Sequence, residues 1–158
     1  VGKDGVGCTA IRAFSDRLAV WTRTGTWLIL GSIDSGFRFV PLGQGNGCWG
    51  PDAVIEAGGV LLWWGPDGIF WWAGAGEPQE LSNPDWDGQD VPLGILATVS
   101  AVNAEAAAGI VSAYNPTTNK VMWWAPVDGS LWNNKVVVLN MQTKGFSFAS
   151  CDAVTAAA

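Results

Sequence analysis

Few side chains in this sequence have the types and spacing that enzyme chemistry requires. Its 158 residues include no histidine, so a serine or cysteine nucleophile would lack the imidazole base that usually activates it. Carboxylates occur in many places, and their spacing alone leaves paired acids for glycoside hydrolysis open. Several of them, such as Asp67 and Asp128, precede a glycine as turn residues do. We therefore interpret the acids as turn residues and predict a protein that is not an enzyme, with no cofactor and no bound metal.

Two short motifs resemble ligand-binding loops. Gly45–Gly50 matches the G-x-G-x-x-G pattern, but Pro51 follows it and no βαβ unit surrounds it, so the dinucleotide-binding context fails. Residues 85–90 could group three aspartates around a calcium ion. An EF-hand would need a glutamate at position 12 counted from Asp85, where this sequence has Leu96. A solvated loop is the favoured interpretation of residues 85–90.

The three cysteines, Cys8, Cys48 and Cys151, lack the C-x-x-C spacing of zinc sites and redox motifs. We expect buried free thiols, which behave as small apolar side chains. A disulfide between Cys8 and Cys48 is the alternative, and it would require an oxidising compartment.

Composition excludes several classes of partner. The net charge is −6 and only eight residues are Lys or Arg, which argues against a surface that grips nucleic-acid phosphates. An acidic wall past which DNA slides is compatible with this balance. No apolar run approaches the roughly 20 residues that cross a bilayer, so no membrane partner is expected. The N-terminus has neither a Met nor the features of a signal peptide, which suggests an internal piece of a longer polypeptide.

Short apolar runs separated by Gly, Pro, Asn and Asp predict many short strands, as in all-β proteins. Four hairpins account for most of the chain. Their strands are 18–22 with 26–30, 60–64 with 69–73, 110–114 with 120–125, and 135–140 with 145–149. In the second hairpin, Gly68 is expected to supply the positive φ of a type I turn with a bulge. Further strands are predicted at Phe37–Leu42 and Ala53–Ile55.

The hairpins repeat with a spacing that suggests β-propeller blades. Leu18 and Leu61 occupy equivalent places in the first two hairpins, about 43 residues apart, which is near the length of a four-stranded blade. The third and fourth hairpins would form one blade together. The predicted fold is all-β, with about three to four antiparallel blades in units of roughly 10–50, 51–95 and 109–150, as an incomplete propeller or a fragment of one. Ile95–Ala108 is expected to form a turn or two of helix or a crossover.

The 11 tryptophans indicate where the sheets are covered. In the pairs 63–64, 71–72 and 123–124 the two side chains point to opposite faces of a strand, so both faces of each sheet should be buried. Trp49, Trp86 and Trp132 lie instead in Gly- or Asn-rich loops. They are possible interface residues, and a ligand-stacking platform is the alternative to ordinary core packing.

Ser32–Phe39 fits the pattern S-x-D-x-G-x-x-[WF] and resembles the Asp-box hairpin of sialidase-like propellers. In that family the box is a structural turn remote from the active site, and catalysis uses an arginine triad, a tyrosine and an acid. Here the four arginines lie within the first 38 residues, and Tyr114 is the one tyrosine. The box therefore favours a propeller and does not favour an enzyme.

A second resemblance covers almost the whole chain. The segments that carry it are Phe14–Ile29, Gly47–Val54, Gly59–Phe70, Tyr114–Trp124, Asn134–Asn140 and Gly145–Phe148. Their order and spacing are similar to those of the tail-hub and neck propellers of bacteriophages, although Gly145–Phe148 is apolar where that family would have a Trp-Ser ending. The resemblance implies a structural virion protein of the tail or neck, a hub, adaptor or nozzle. It also implies a homo-oligomeric ring, commonly of six copies, that contacts other tail or portal-vertex proteins and has DNA as passing cargo. The alternative is a sialidase-like or lectin-like propeller module that binds host glycans.

Overall fold

The fold is all-β, and the computed structural model describes residues 7–82 and 93–151 of it. Within these residues, three four-stranded antiparallel sheets follow one another along the chain, each with its strands in sequence order. Sheet 1 contains β1 (Ala10–Phe14), β2 (Arg17–Trp21), β3 (Gly25–Ser32) and β4 (Gly36–Gln44). Sheet 2 contains β5 (Val54–Ala57), β6 (Val60–Trp64), β7 (Ile69–Trp72) and β8 (Gln79–Glu80). Sheet 3 contains β9 (Val111–Asn115), β10 (Lys120–Ala125), β11 (Lys135–Asn140) and β12 (Phe146–Ser150).

All four predicted hairpins are present, as the pairs β2–β3, β6–β7, β9–β10 and β11–β12. The last two hairpins share one sheet, as predicted, because β10 also pairs with β11. The strands predicted at Phe37–Leu42 and Ala53–Ile55 are present as β4 and β5 with shifted ends. The three sheets occupy residues 10–44, 54–80 and 111–150, one within each of the predicted units.

The expected role of Gly68 in the β6–β7 turn was wrong. The turn closes with a hydrogen bond from the Gly65 amide to the Gly68 carbonyl oxygen (2.8 Å), but Gly68 is not among the residues with positive φ. The space around Gly68 is limited instead by two side chains. A Cβ at this position would lie 2.5 Å from Ser82 Oγ and 2.8 Å from Glu80 Oε1.

The helix expected within Ile95–Ala108 is present and begins slightly earlier. It is α1 (Leu93–Ser100), and a 3-10 turn at Ala107–Gly109 follows it before β9 begins. Ile95 and Thr98 of α1 are buried, and Leu96 and Val99 pack against the core. The helix and the turn therefore join sheet 2 to sheet 3 along the edge of the core.

The core is one hydrophobic cluster to which all three sheets contribute. Trp63 lies at the contact between sheets 1 and 2, with ring centroids 5.5 Å from Trp21 and 5.8 Å from Phe70. Phe14 and Trp72 make a second contact between these sheets, at 5.6 Å. Edge-to-face and offset packing of this kind adds about 0.5–1.5 kcal/mol per aromatic pair beyond the burial itself.

The prediction that both faces of every sheet are buried is confirmed for one sheet only. Trp63 and Trp64 of sheet 2 are both fully buried, and they point to opposite faces. In sheet 3, Trp123 is fully buried, whereas the next residue, Trp124, is only half-buried. Sheet 2 is therefore covered on both sides, and sheet 3 on one.

The cysteines are free thiols, and the structure has no Cys8–Cys48 disulfide. Cys48 is buried as expected, but Cys8 is exposed and Cys151 is partly exposed. Burial raises the pKa of Cys48 from 9.0 to about 12, because a thiolate loses its hydration in the core. Cys48 is therefore an uncharged packing residue at neutral pH.

Candidate interaction surface

One short 3-10 turn, Pro51–Ala53, joins the three sheets through its backbone carbonyl groups. Arg12 Nη2, from sheet 1, donates a hydrogen bond to the Pro51 oxygen (3.1 Å). Ser112 Oγ and Trp123 Nε1, from sheet 3, donate to the oxygens of Asp52 (2.6 Å) and Ala53 (3.2 Å). Because the turn leads directly into β5 of sheet 2, these bonds fix β1 of sheet 1 and β9 and β10 of sheet 3 relative to β5.

The Gly45–Gly50 loop, which resembled a nucleotide-binding motif, joins sheet 1 to sheet 2 inside the protein. The Asn46 carbonyl oxygen accepts hydrogen bonds from Thr26 Oγ1 (2.7 Å) and Trp63 Nε1 (3.1 Å). A Cβ at Gly47 would collide with the backbone of Arg23, and one at Gly65 would collide with the carbonyl of Gly47. Gly47 of this loop is therefore needed for close backbone contact.

The three loop tryptophans have different environments. Trp49 is only 8% exposed, and the Arg23 guanidinium lies 5.3 Å from its ring centroid. Trp132 is 72% exposed, in a turn where Ser130 Oγ donates to the Trp132 carbonyl (2.7 Å). Trp86 lies outside the described residues. Trp49 is buried in the loop that joins sheet 1 to sheet 2, so it cannot serve in an exposed ligand-stacking platform. Trp132 stays a predicted interface residue.

The outer face of sheet 1, which points away from sheet 2, is entirely apolar. Alternation along paired strands places on this face Ile11, Ala13, Leu18, Val20, Trp27, Ile29, Gly31, Phe37, Phe39 and Pro41. Ile11, Phe37 and Phe39 are 54%, 64% and 51% exposed. None of the ten residues belongs to the core cluster or packs against it, and within the described part of the chain Val20 is the one buried residue among them, so most of the face has no cover.

The outer face of sheet 3 is apolar over most of its length and polar at one end. The same alternation places on it Val111, Ala113, Met122, Trp124, Val136, Val138, Ser147 and Ala149, and at the polar end Asn115, Lys120 and Asn140. Val111 is exposed and Trp124 is half-buried, and none of these residues is in the core cluster. Lys120 is the one charged residue on this face, at the end where β10 begins. The Trp123–Trp124 pair predicted apolar residues on both faces of sheet 3, whereas the apolar outer face of sheet 1 was missed from the sequence. The signal for it exists, because Phe37, Phe39 and Pro41 alternate with Arg38 and Val40, so β4 carries apolar residues on both faces.

A cleft of about 460 Å³ runs beside β1 and β5 and has Arg12 and Glu56 as its charged residues. Arg12 already bonds the Pro51 carbonyl and lies 3.9 Å from Asp52. Within residues 7–82 and 93–151, no three His, Cys, Asp or Glu side chains lie close enough to hold a metal ion. The calcium loop considered at residues 85–90 lies outside those ranges.

No family model matches this chain, and no curated protein matches it. Among the described residues, the helices are too short or too polar to cross a bilayer.

Proposed function

We propose that this chain is a structural module of a β-propeller that associates with further copies of itself, in the tail or neck of a bacteriophage. Its function would be rigidity and assembly, without a catalytic step. The observation that carries the assembly part is the pair of outer faces, because exposed apolar patches of this extent on a soluble protein mark interaction surfaces.

The strand arrangement supports the propeller part of the proposal. Each sheet is a four-stranded meander, and the first strands of the sheets contact one another, β1 with β5 and β5 with β9. In a propeller, blades of four strands surround a central axis in this manner. The hydrogen bonds from Arg12 and Ser112 to the Pro51–Ala53 turn hold these inner strands together.

The virion part of the proposal rests on the sequence resemblance to phage tail-hub and neck propellers. The low content of Lys and Arg agrees with a wall that DNA passes without being gripped. In this role the chain forms a ring, of which six copies is one expectation, and contacts other tail or portal-vertex proteins.

Electron cryomicroscopy of the native particle tests the proposal. We expect density for this chain in a ring of identical subunits around the axial channel, at the tail or the portal vertex. Particles that lack the chain, or that carry it as isolated copies with both outer faces exposed to solvent, would contradict the proposal.

One observation favours a second candidate function, the recognition of host glycans. Trp132 presents an exposed ring in an Asn-rich loop, which suits stacking against a sugar. If this function is correct, the purified chain gives a signal on a glycan array and Trp132→Ala loses it while remaining folded. No signal from the unmodified chain would exclude this candidate.

A further inference from the structure

We infer that the cleft between the first strands of sheets 1 and 2 binds a small zwitterion, a molecule with one carboxylate, one ammonium group and an apolar body. Amino acids with aliphatic side chains belong to this class. The inference goes beyond the proposed function, and neither depends on the other. Its basis is a cationic and an anionic side chain that face each other across a cleft with an apolar floor.

The two charged side chains lie on opposite walls of the cleft. Arg12 points from β1 towards sheet 2, since its Nη2 donates to the Pro51 carbonyl just before β5. Glu56 and Val54 are alternate residues of β5 and share one face of sheet 2, and Val54 is the cross-strand partner of Trp63. Because Trp63 packs against sheet 1, that face and Glu56 point towards sheet 1.

The cleft has the size and the lining of a small-molecule site. Its volume is about 460 Å³, and ligand pockets commonly measure about 300–1,000 Å³. Val54 and Leu61 line it and are almost fully buried, so they form an apolar floor between the two charged walls. A short aliphatic chain would cover this floor and hold a charged group at each wall.

Arg12 keeps hydrogen-bond donors for a carboxylate. Its bond to the Pro51 carbonyl (3.1 Å) and its contact with Asp52 (3.9 Å) are both made by Nη2. Nε and Nη1 of Arg12 have no partner among the described residues. The Pro51 bond fixes the guanidinium in place, which reduces the entropy that ligand binding would lose. The Asp52 side chain is 68% exposed, so water screens its competition with a ligand carboxylate.

Glu56 has no partner among the described residues, although an arginine faces the same cleft. The ion pairs in this part of the chain are Arg12–Asp52 and Arg17–Asp16. Opposite charges that line one cleft without forming an ion pair are suited to a ligand that bridges them. The ammonium group of the ligand would donate to Glu56, and its carboxylate would accept from Arg12, both in charge-assisted hydrogen bonds.

Titration of the purified chain with L-leucine and, separately, with ε-aminocaproate tests the inference, with backbone amide shifts in NMR spectra as the readout. We expect at least one of the two to bind with a dissociation constant below about 10 mM and to shift the amides of β1 and β5. Analogues that lack the amino group (isocaproate, caproate) or the carboxylate (isoamylamine, amylamine) should bind about tenfold more weakly or worse. No saturable shift with either zwitterion, or equal binding of a single-charge analogue, overturns the inference.

Glu56→Gln tests which wall meets the ammonium group. It should raise the dissociation constant of the zwitterion about tenfold and leave that of the amine-free analogue unchanged. Glu56 is exposed and unpaired within the described residues, so the fold should survive. Glu105→Gln, which removes an exposed carboxylate outside the cleft, is the matched control and should bind as the unmodified chain does. Equal effects of Glu56→Gln on both ligands would show that the ammonium group does not meet Glu56.

Arg12→Gln tests the opposite wall. It should weaken binding of the zwitterion by a similar factor, whereas Arg38→Gln, on β4 and outside the cleft, should not. Unchanged binding to a folded Arg12→Gln variant contradicts the inference. This variant also loses the bond to Pro51, so circular dichroism must verify its fold. If it does not fold, Glu56→Gln and the single-charge analogues decide the inference without it.

Discussion

Sheet 2 and the two sheets beside it are all built from apolar strands but differ in what covers them. Sheet 2 has apolar residues on both faces, and Trp63 and Trp64 are fully buried because sheets 1 and 3 lie on either side. Sheets 1 and 3 also have apolar residues on both faces, yet only their inner faces join the core. The pattern of apolar residues along a strand therefore indicates how many faces of the sheet must be buried. It does not indicate whether the same chain buries them.

The largest effect should come from the tryptophan at the centre of the covered region. Trp63→Ala removes a fully buried ring that packs on Trp21 and Phe70, and it leaves the Asn46 carbonyl without the indole donor. We expect a loss of about 3–5 kcal/mol in the free energy of unfolding, measured by urea denaturation.

Trp132→Ala is the matched control, since this ring is mostly exposed, and it should change the unfolding free energy by less than about 0.5 kcal/mol. If Trp63→Ala prevents folding altogether, Trp63→Phe keeps most of the ring and should cost about 1–3 kcal/mol through the lost hydrogen bond. Equal losses of unfolding free energy at positions 63 and 132 would contradict the conclusion that Trp63 lies in the packed core and Trp132 does not.

A smaller effect is expected at the close backbone contact between the joining loop and sheet 2. Gly65→Ala places a methyl group against the Gly47 carbonyl, which is backbone and cannot rotate away. We expect a loss of about 1–3 kcal/mol in the unfolding free energy, as for overpacked cores.

Gly109→Ala provides the comparison, because a Cβ there meets nothing within 4 Å and its φ is not positive. It should be nearly neutral or slightly stabilising. A neutral Gly65→Ala would mean that sheets 1 and 2 can separate at the loop without cost.

The pH dependence of stability tests whether the Cys48 thiol stays buried between sheets 1 and 2. Its pKa rises to about 12 in the folded protein, against 9.0 for an exposed thiol, so above pH 9 the unfolded chain loses a proton that the folded chain keeps. Stability should therefore fall as the pH rises from 9 towards 12, by at most about 1.4 kcal/mol per pH unit. Thermal unfolding of the unmodified chain and of Cys48→Ala, compared between pH 8 and 10, isolates this slope.

Cys8 is the internal reference for this measurement, since it is exposed. At pH 8 a thiol reagent should modify Cys8 rapidly and Cys48 only after unfolding. Rapid modification of Cys48 in the folded protein would show that the loop between sheets 1 and 2 opens without global unfolding.

Local sequence signals predicted the hairpins because each depends on a turn of a few residues between two apolar runs. The β6–β7 hairpin around Gly65–Gly68 is one example, and the sharing of a sheet by the last two hairpins was also predicted. The contacts that join one sheet to the next could not be predicted, because they connect residues that are distant in sequence. Trp123 Nε1 donates to the Ala53 carbonyl across 70 residues, and nothing in either segment alone indicates the other. For the same reason Trp49 resembled an exposed loop residue, although distant parts of the chain bury it.

The smallest effect concerns the exposed β3–β4 turn of sheet 1, where the sequence resembled an Asp-box. Two serines hold this turn: the Ser32 and Ser35 hydroxyls lie 2.9 Å apart, and each accepts a hydrogen bond from the other residue's amide. The Asp34 side chain makes no hydrogen bond or ion pair with the described residues. Ser32→Ala should therefore cost about 0.5–1 kcal/mol in the unfolding free energy, and Asp34→Ala less than about 0.5 kcal/mol. Chemical denaturation of the two variants side by side measures the difference. A larger cost at Asp34 than at Ser32 would restore the aspartate as the residue that organises the turn, and with it the likeness to sialidase-type hairpins.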